Sequence, residues 1–195
     1  MLLSAVDFVV VVGLAVLFAI AGYYLYLLYW LTRLPAAAQE SDAAIPDLPR
    51  VLVQLPVYNE PLVVERALAA AASLDWPRDR LSIQLLDDST DITSDIALHA
   101  VARLRREGVD VEHVRRADRS GFKAGALAAG MAICDAPYVA VFDADFVPAT
   151  DWLRRAMAAM LANPRAAFVQ TRIEWGNGGY NWLTRAQQLM QDAHF

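Results

Sequence analysis

The order of apolar and polar positions divides the chain into one long apolar segment followed by a series of short strands and helices. The long segment covers Phe8–Leu31 and contains no charged side chain. About 23 residues at 1.5 Å per residue span roughly 34 Å, which is enough for a helix to cross a bilayer. Aromatic side chains crowd its far end, as in the interfacial belts of membrane helices: Tyr23, Tyr24, Tyr26, Tyr29 and Trp30.

After residue 50 the pattern alternates between short runs rich in β-branched residues and helical repeats of apolar positions. Strands are predicted at 50–56, 81–86, 109–114, 138–142 and 166–171. Helices are predicted between them at 61–74, 93–107, 122–134 and 151–161. Strands that alternate with helices predict an α/β fold with a mostly parallel, doubly wound sheet.

Two alternatives compete with a membrane anchor as explanations of the apolar segment. A cleaved signal peptide would agree with the alanines at 36–38, but its apolar region should be shorter and preceded by basic residues. A buried core helix would rarely be apolar on all sides over such a length. We therefore predict a retained transmembrane anchor in residues 1–33. Arg33 and Arg50 follow it and no basic residue precedes it, so the remainder is expected on the cytoplasmic side.

Composition limits the class of protein further. Prolines and alanines mark residues 34–49 as a linker, and the 195-residue length allows one domain with a full core, expected at 50–195. The net charge of -5 and the pI near 5.1 argue against non-specific nucleic-acid binding. Cys134 is the only cysteine, which excludes an internal disulfide and a zinc site built from several cysteines.

Asp143 and Asp145 follow the apolar run 138–142, just past the end of the fourth predicted strand. Open α/β sheets bind ligands at this carboxyl edge. Carboxylates there are costly unless a cation or a donor-rich ligand compensates them. A divalent cation carrying a phosphate is the economical compensation, because Mg²⁺ takes one or two carboxylates plus substrate oxygens. A pair of solvated loop aspartates is the alternative.

Two more polar motifs follow the first and second predicted strands. They are Pro-Val-Tyr-Asn-Glu at 56–60 and Asp-Asp-Ser-Thr at 87–90. Each has a structural alternative, since Asn59 could cap a helix and the second motif could form a turn. Their convergence with the aspartate pair on one edge of the sheet favours a nucleotide-binding crevice.

A basic loop connects the third predicted strand to the next helix. It contains Arg115, Arg116, Arg119 and Gly121 and leads into Lys123, which is the only lysine in the chain. Backbone N–H groups and the dipole at a helix N-terminus favour phosphate, and a lysine adds a point charge at a diphosphate. A solvated basic loop is the alternative, but a position beside the acidic edge favours a role in ligand binding.

As a set, these motifs resemble the membrane-bound family 2 glycosyltransferases with a GT-A fold, the group that includes cellulose and mannan synthases. The resemblance covers about residues 50–195 and follows the family's order of motifs. The matching segments are Pro56-Val57-Tyr58-Asn59-Glu60, Leu86-Asp87-Asp88-Ser89-Thr90-Asp91, Lys123-Ala124-Gly125-Ala126-Leu127, Phe142-Asp143-Ala144-Asp145-Phe146, Gln170-Thr171-Arg172, Leu183-Thr184-Arg185-Ala186-Gln187 and Asp192-Ala193-His194-Phe195. It implies a Rossmann-like nucleotide-diphospho-sugar transferase sheet, preceded by one transmembrane helix.

The resemblance implies roles for individual positions. Tyr58 and Glu60 would border the nucleoside, and Asp88 (or its neighbour Asp87) would bind the base. The donor-binding residues would be Tyr58, Glu60, Asp87, Asp88, Lys123 and Asp143, and the ligands of Mg²⁺ or Mn²⁺ would be Asp143 and Asp145. The metal and the lysine would neutralise charge on the diphosphate leaving group, so catalysis would be mainly electrostatic and positional.

The resemblance ends before the acceptor-side motifs of the family. The general base that an inverting displacement requires belongs to a Thr-Glu-Asp-type motif, and processive members add a Gln-x-x-Arg-Trp motif; neither precedes Phe195. The catalytic base is therefore expected beyond Phe195, and the C-terminal acceptor half is expected to be absent from this chain.

The predicted function is metal-dependent, inverting transfer of a sugar from a UDP- or GDP-sugar to a glycan or lipid acceptor. The expected location is the inner or plasma membrane of a bacterium, with a cytoplasmic catalytic domain, and the chain alone is expected to be inactive. The alternative is an inactive, membrane-tethered nucleotide-sugar-binding remnant or subunit. A haloacid-dehalogenase-type phosphatase is disfavoured, because its Asp-x-Asp motif opens the domain's first strand and three strands precede Asp143 here.

Overall fold

The structure is a computed structural model that describes residues 4–33, 45, 47–171 and 179–192. Two compact units are present, one formed by residues 41–166 and the other by residues 1–40 with 167–195. The helices and strands are α1 (Ala5–Leu31), β1 (Val51–Val57), α2 (Val64–Ala72), β2 (Leu81–Asp87), α3 (Thr93–Arg106), β3 (Val111–Arg115), α4 (Phe122–Met131), β4 (Tyr138–Val141), α5 (Trp152–Ala162) and α6 (Trp182–Asp192). Most of the predicted linker and the last residues, Ala193–Phe195, lie outside the described residues.

The sheet confirms the predicted parallel α/β fold. Its four strands lie in the order β3-β2-β1-β4, and every neighbouring pair is parallel. Val51 pairs with Leu81 on one side and with Tyr138 on the other, so β1 is central. The chain moves outward from β1 to β2 and β3 and then returns across to β4 beyond β1. The carboxyl ends of β1 and β4 therefore form the point at which ligands bind in open α/β sheets.

Alternation along each strand separates the two faces of the sheet. On one face Val51, Val53 and Leu55 of β1 pack with Ile83 and Leu85 of β2, and α2 and α3 cover them. These side chains are buried and form the main apolar core. Each of the two helices buries one apolar stripe. This produces the 3.6-residue repeat of apolar positions from which both helices were predicted.

The opposite face carries a polar pair beneath α4. Gln54 donates a hydrogen bond from Nε2 to Oε1 of Gln84 at 3.1 Å and another to the Leu127 carbonyl at 3.2 Å. A Cβ atom at Gly130 would lie only 2.5 Å from Gln54 Nε2 and 2.6 Å from Gln84 Oε1. The Ala- and Gly-rich composition of α4 thus lets its backbone approach the sheet and accept a hydrogen bond from it.

Several predicted elements differ from the structure. Residues 166–171, predicted as a fifth strand, are irregular, and α6 was not predicted. α2 begins at Val64 rather than at residue 61, and no side chain caps it. Asn59 therefore does not cap this helix. Its side chain instead contacts the loop after β2, a long-range contact that a local pattern cannot reveal.

α1 matches the predicted apolar helix and begins in a capping box. The Asp7 N–H donates to Ser4 Oγ at 3.2 Å, and the Ser4 N–H donates to the Asp7 carboxylate at 3.0 Å. Its segment Val6–Trp30 is, within the described ranges, the one helix long and apolar enough to cross a membrane. Signal sequences near an N-terminus share this length and composition. Arg33 lies 4.9 Å from the centre of the Tyr29 ring at the helix end.

Candidate functional site

An open crevice of about 570 Å³ lies at the carboxyl edge of the sheet. It receives side chains from the ends of β1, β2 and β4 and from the segment around the start of α4. The lining residues are Pro56, Val57, Tyr58, Glu60, Val63, Leu86, Asp88, Arg119, Lys123, Ala126, Asp143, Ala144 and Asp145. The structure thus brings together all of the predicted site residues except Asp87.

The aspartate pair is positioned by the buried residues that alternate with it. Phe142 and Ala144 are buried, and the Phe142 ring packs edge-on against Trp152 with 4.6 Å between the ring centres. The Phe142 N–H donates to the Gln54 carbonyl at 3.1 Å, which continues the β4–β1 ladder by one residue. Asp143 and Asp145 consequently reach the crevice. The core thus fixes the loop, and both carboxylates lie on the wall of the crevice.

Lys123 lies across the crevice from this loop. Its Nζ donates a hydrogen bond to Oδ1 of Asp143 and forms an ion pair with it. Both side chains are about half exposed, so a ligand can reach either one. The predicted phosphate-binding cation and a predicted metal ligand therefore pair with each other.

Glu60 adds a fourth carboxylate to the crevice, beside Asp88, Asp143 and Asp145. Burial raises the pKa of Glu60, and the negative charges of Asp145 and Asp143 raise it further, while Lys123 acts in the opposite direction. The pKa shift indicates that negative charge here exceeds what Lys123 compensates. A cation entering the crevice would relieve this repulsion.

The donor set is compatible with a hard divalent cation that binds together with a phosphate. The described residues contain no group of three or more His, Cys, Asp and Glu side chains arranged to hold a metal ion by themselves. Mg²⁺ and Mn²⁺ bind to one or two carboxylates when substrate phosphates supply further oxygens. Asp143 and Asp145 could serve as those carboxylates.

Asn59 links the loops after β1 and β2. Its backbone adopts a left-handed conformation with φ of 55°, which Asn tolerates better than most residues. Its N–H donates to Ser89 Oγ at 2.9 Å, and its Oδ1 accepts from the Thr90 N–H at 2.9 Å. These bonds hold Tyr58 and Asp88, which flank the linked residues, on neighbouring walls of the crevice.

The two consecutive aspartates after β2 have different environments. The Asp87 side chain is 0% exposed and accepts hydrogen bonds from the Ser89 N–H at 2.8 Å and Ser94 Oγ at 2.7 Å, with His113 Nε2 also 2.8 Å away. Burial alone would raise the pKa of Asp87, but these hydrogen bonds outweigh it and hold the pKa far below its usual range. The crevice is lined by Asp88 and not by Asp87.

Asp88 is held by the basic loop. Arg116 donates from Nε and Nη2 to both carboxylate oxygens, with 3.0 Å between Nε and Oδ1. The same guanidinium donates to the carbonyls of Ser120 at 2.8 Å and Phe122 at 3.2 Å. A Cβ at Gly125 would lie 2.1 Å from the Ser120 carbonyl oxygen, so only glycine permits this packing of the loop on α4.

Arg119, from the same loop, lies over the Tyr58 ring. Its Cζ is 3.4 Å from the ring centre, and its Nε is 4.0 Å from Asp88 Oδ2. Sequence reasoning singled out the basic loop as a whole but missed the separate partners of Arg116 and Arg119. The spacing of these arginines carries no signal for their partners, because both contacts cross between strands.

The parallel α/β sheet, with acidic, basic and aromatic side chains at one carboxyl edge, has a fold of the GT-A type, as the comparison with solved structures shows. Among solved structures, the chain is similar to a mannosyltransferase, PcManGT from Pyrobaculum calidifontis, in complex with GDP-Man and Mn²⁺. The TM-score is 0.64 at 26% identity, over 88% of this chain and 48% of that one. TarS from S. aureus shares the fold, with a TM-score of 0.50 at 18% identity over 64% of this chain and 24% of that one.

The family model described as Glycosyl transferase family 2 matches residues 53–193, and the chain belongs to this family. Glucomannan 4-beta-mannosyltransferase 7 of Arabidopsis thaliana is 44% identical over 151 residues, which are 75% of this chain and 27% of that protein. Probable glucomannan 4-beta-mannosyltransferase 6 of Oryza sativa subsp. japonica is 41% identical over 166 residues, 83% of this chain and 29% of that protein. The chain thus spans less than a third of the length of these relatives.

Proposed function

We propose that this chain supplies the donor-binding part of a glycosyltransferase that transfers mannose from GDP-mannose to a growing glycan. The observation that carries the proposal is the meeting of Asp88, Lys123, Asp143 and Asp145 in one crevice. The names of the plant relatives and of the GDP-Man complex support mannose as the sugar and guanine as the base. A lipid acceptor in place of a glycan is the other possibility considered for the second substrate.

The nucleoside would bind between the loops that follow β1 and β2. Tyr58, a residue that is 38% exposed, offers an aromatic ring, and Asp88 offers a carboxylate at the crevice wall. A carboxylate accepts hydrogen bonds from two neighbouring N–H donors, which guanine presents on one edge and uracil does not. Glu60 would border the sugar of the nucleoside. Asp87 would act indirectly, by holding the β2 loop that carries Asp88.

The diphosphate would bind between Lys123 and the aspartate loop. Lys123 would leave Asp143 and donate to a phosphate oxygen, while Asp143 and Asp145 would hold Mg²⁺ or Mn²⁺. The cation would supply Lewis-acid neutralisation of the diphosphate leaving group. Lys123 would add a fixed positive charge on the other side, so that the leaving group departs from a prearranged electrostatic environment.

An inverting displacement also needs a base to deprotonate the acceptor hydroxyl. We propose that a segment outside this chain supplies that base, which agrees with the short span relative to the relatives. The chain by itself would bind the donor and transfer no sugar. If no such segment exists, the chain would be a nucleotide-sugar-binding subunit.

We further propose that α1 crosses a membrane and that the domain from residue 50 onward lies on its cytoplasmic face. The length and hydropathy of Val6–Trp30 and the position of Arg33 after it support this arrangement. A bacterial inner membrane remains a prediction, since the two relatives described above are plant proteins.

Calorimetric titration of the detergent-solubilised chain with GDP and with UDP, each with Mn²⁺ or with EDTA, tests the proposal. GDP is expected to bind in Mn²⁺ at least tenfold more tightly than UDP, and EDTA should abolish most of the binding. Equal binding in EDTA would overturn the metal assignment, and absence of GDP binding would overturn the donor site. Release of GDP from GDP-mannose in the presence of a manno-oligosaccharide would contradict the proposal that the catalytic base lies outside this chain.

A further inference from the structure

Arg119 occupies the part of the crevice that the proposed function assigns to the nucleobase. Its guanidinium lies 3.4 Å above the centre of the Tyr58 ring and presents Nε toward Asp88 at 4.0 Å. A base stacked on the same face of Tyr58 would need the space that the Arg119 guanidinium takes, so the two cannot occupy that face at once.

The guanidinium has the chemistry of a stand-in for guanine. It is planar, it stacks on an aromatic face, and its N–H edge donates to a carboxylate. Guanine has the same three properties, since its flat ring carries adjacent N–H donors on one edge. The group that lies on the Tyr58 ring therefore resembles the base of the proposed ligand.

The two arginines of the loop differ in how firmly they are held. Arg116 donates to both oxygens of Asp88 and to two backbone carbonyls, which fixes the base of the loop. Arg119 has two ring contacts, to Tyr58 at 3.4 Å and Phe122 at 5.3 Å, and the long ion pair with Asp88. Its side chain is 40% exposed. Arg119 can thus change partners while Arg116 keeps the loop in place.

We propose that Arg119 exchanges places with the nucleobase: it covers Tyr58 when no donor is bound and moves to the diphosphate when the donor binds. This inference rests on the proposed function, because it requires a nucleoside diphosphate in the crevice. The charge balance favours the movement. The entering diphosphate brings at least two negative charges, the two charges of the cation are matched by Asp143 and Asp145, and Lys123 offers one more positive charge. Arg119 also lines the crevice, and its contacts there are two ring contacts and an ion pair at 4.0 Å, so it can move to the diphosphate.

The exchange predicts opposite effects of one substitution on two ligands. Arg119→Ala removes a competitor for the Tyr58 face, so guanosine, which has no phosphate, should bind about two- to fivefold more tightly, the worth of one exposed stacking contact. The same variant loses a phosphate contact, so GDP should bind about fivefold or more weakly. The ratio of GDP to guanosine affinity should fall about tenfold or more.

Two further variants make the test specific. Arg119→Lys keeps the charge but loses the planar group, so it should bind guanosine more tightly and retain most of the GDP affinity. Arg106→Ala is the matched control. Arg106 is exposed near the end of α3, at the opposite edge of the sheet, and its Nε donates only within its own helix, to Ala102. This variant should bind both ligands like the unmodified chain.

Competition against a fluorescent GDP analogue, with Mn²⁺ at a fixed concentration, measures all of these affinities on the full chain. Weaker guanosine binding by Arg119→Ala would overturn the exchange and make Arg119 a fixed wall of the base site. Unchanged affinities for both ligands would also overturn it. If the unmodified chain does not bind GDP at all, the proposed function fails together with the exchange. If the unmodified chain binds GDP but the Arg119 variants do not show the expected changes, only the exchange fails.

Discussion

His113 Nε2 lies 2.8 Å from Oδ2 of Asp87, beneath the loop that carries Asp88 into the crevice. Asp87 thereby joins β3 to the end of β2, and its other hydrogen bonds come from Ser89 in the following loop and Ser94 in the first turn of α3. One buried carboxylate organises three segments of backbone. Asp87 positions the loop, while its neighbour Asp88 lines the crevice.

Replacing Asp87 by Asn should destabilise the chain by about 2 kcal/mol at neutral pH, because charge-assisted hydrogen bonds to a buried acceptor are lost. The pKa of Asp87 is lowered in the folded state, so its contribution is complete above the unfolded value near 4. This stabilising contribution is lost as the pH falls below the unfolded pKa toward the lower pKa of the folded state. Urea unfolding of the variant and the unmodified chain at pH 7 and near pH 3 measures this.

The difference in the free energy of unfolding between the unmodified chain and Asp87→Asn should therefore be smaller near pH 3 than at pH 7. Asp79→Asn, at an exposed position of a short surface helix, is the control and should change little at either pH. A difference that stays constant with pH would contradict a depressed pKa. GDP affinity offers a second measurement, since a displaced β2 loop should weaken it as well.

Asp145→Ala should reduce the Mn²⁺-dependent part of GDP binding at least tenfold, because one of two carboxylates available to the cation is removed. GDP binding measured in EDTA should stay nearly the same or improve slightly, since a negative charge is lost near the diphosphate. Asp135→Ala removes an exposed carboxylate that pairs with Arg50, near the amino end of β4, and serves as the control. Unchanged Mn²⁺ dependence in Asp145→Ala would rule out this metal site.

Lys123→Ala should weaken GDP binding about tenfold, the loss expected when a phosphate loses one charged hydrogen bond. Guanosine binding should change far less, because Lys123 pairs with Asp143 on the side of the crevice proposed for the diphosphate. Lys123→Arg should recover part of the affinity through its charge. A matching loss for GDP and guanosine would show that the variant damages the fold of the crevice instead.

Gly130→Ala tests the close approach of α4 to the sheet. In an open helix this substitution stabilises by up to about 1 kcal/mol. Here the new Cβ would meet Gln54 and Gln84 at 2.5 and 2.6 Å, so we expect destabilisation of about 1–3 kcal/mol. Gly179→Ala, with no atom within 4 Å of the added carbon, is the control. A more stable Gly130→Ala variant would contradict the tight packing.

Local sequence patterns predicted the elements that depend on one buried face. The runs that became β1, β2 and β4 are apolar, and the acidic motifs after them met at one edge because parallel strands share a carboxyl end. The same patterns could not separate Asp87 from Asp88. Both follow the strand, and only the partners supplied by Ser94, His113 and Arg116 decide which carboxylate is buried.

The errors have equally physical causes. The run 166–171 has strand composition, but composition does not provide a pairing partner, and the described residues there form no ladder. Asn59 has the residue type of a helix cap, yet its hydrogen bonds go to Ser89 and Thr90 on another loop. Contacts between residues distant along the chain override local preference in both places.

Lys123 is the only lysine of the chain, and its amine reaches the open crevice. Reductive methylation with isotope-labelled formaldehyde would therefore mark a single side chain, along with the terminal amine. The resonance of that methylated amine would report directly whether its neighbour is the Asp143 carboxylate or a phosphate. Sixteen arginines and one lysine thus give the protein a built-in spectroscopic probe at the place where its chemistry is expected.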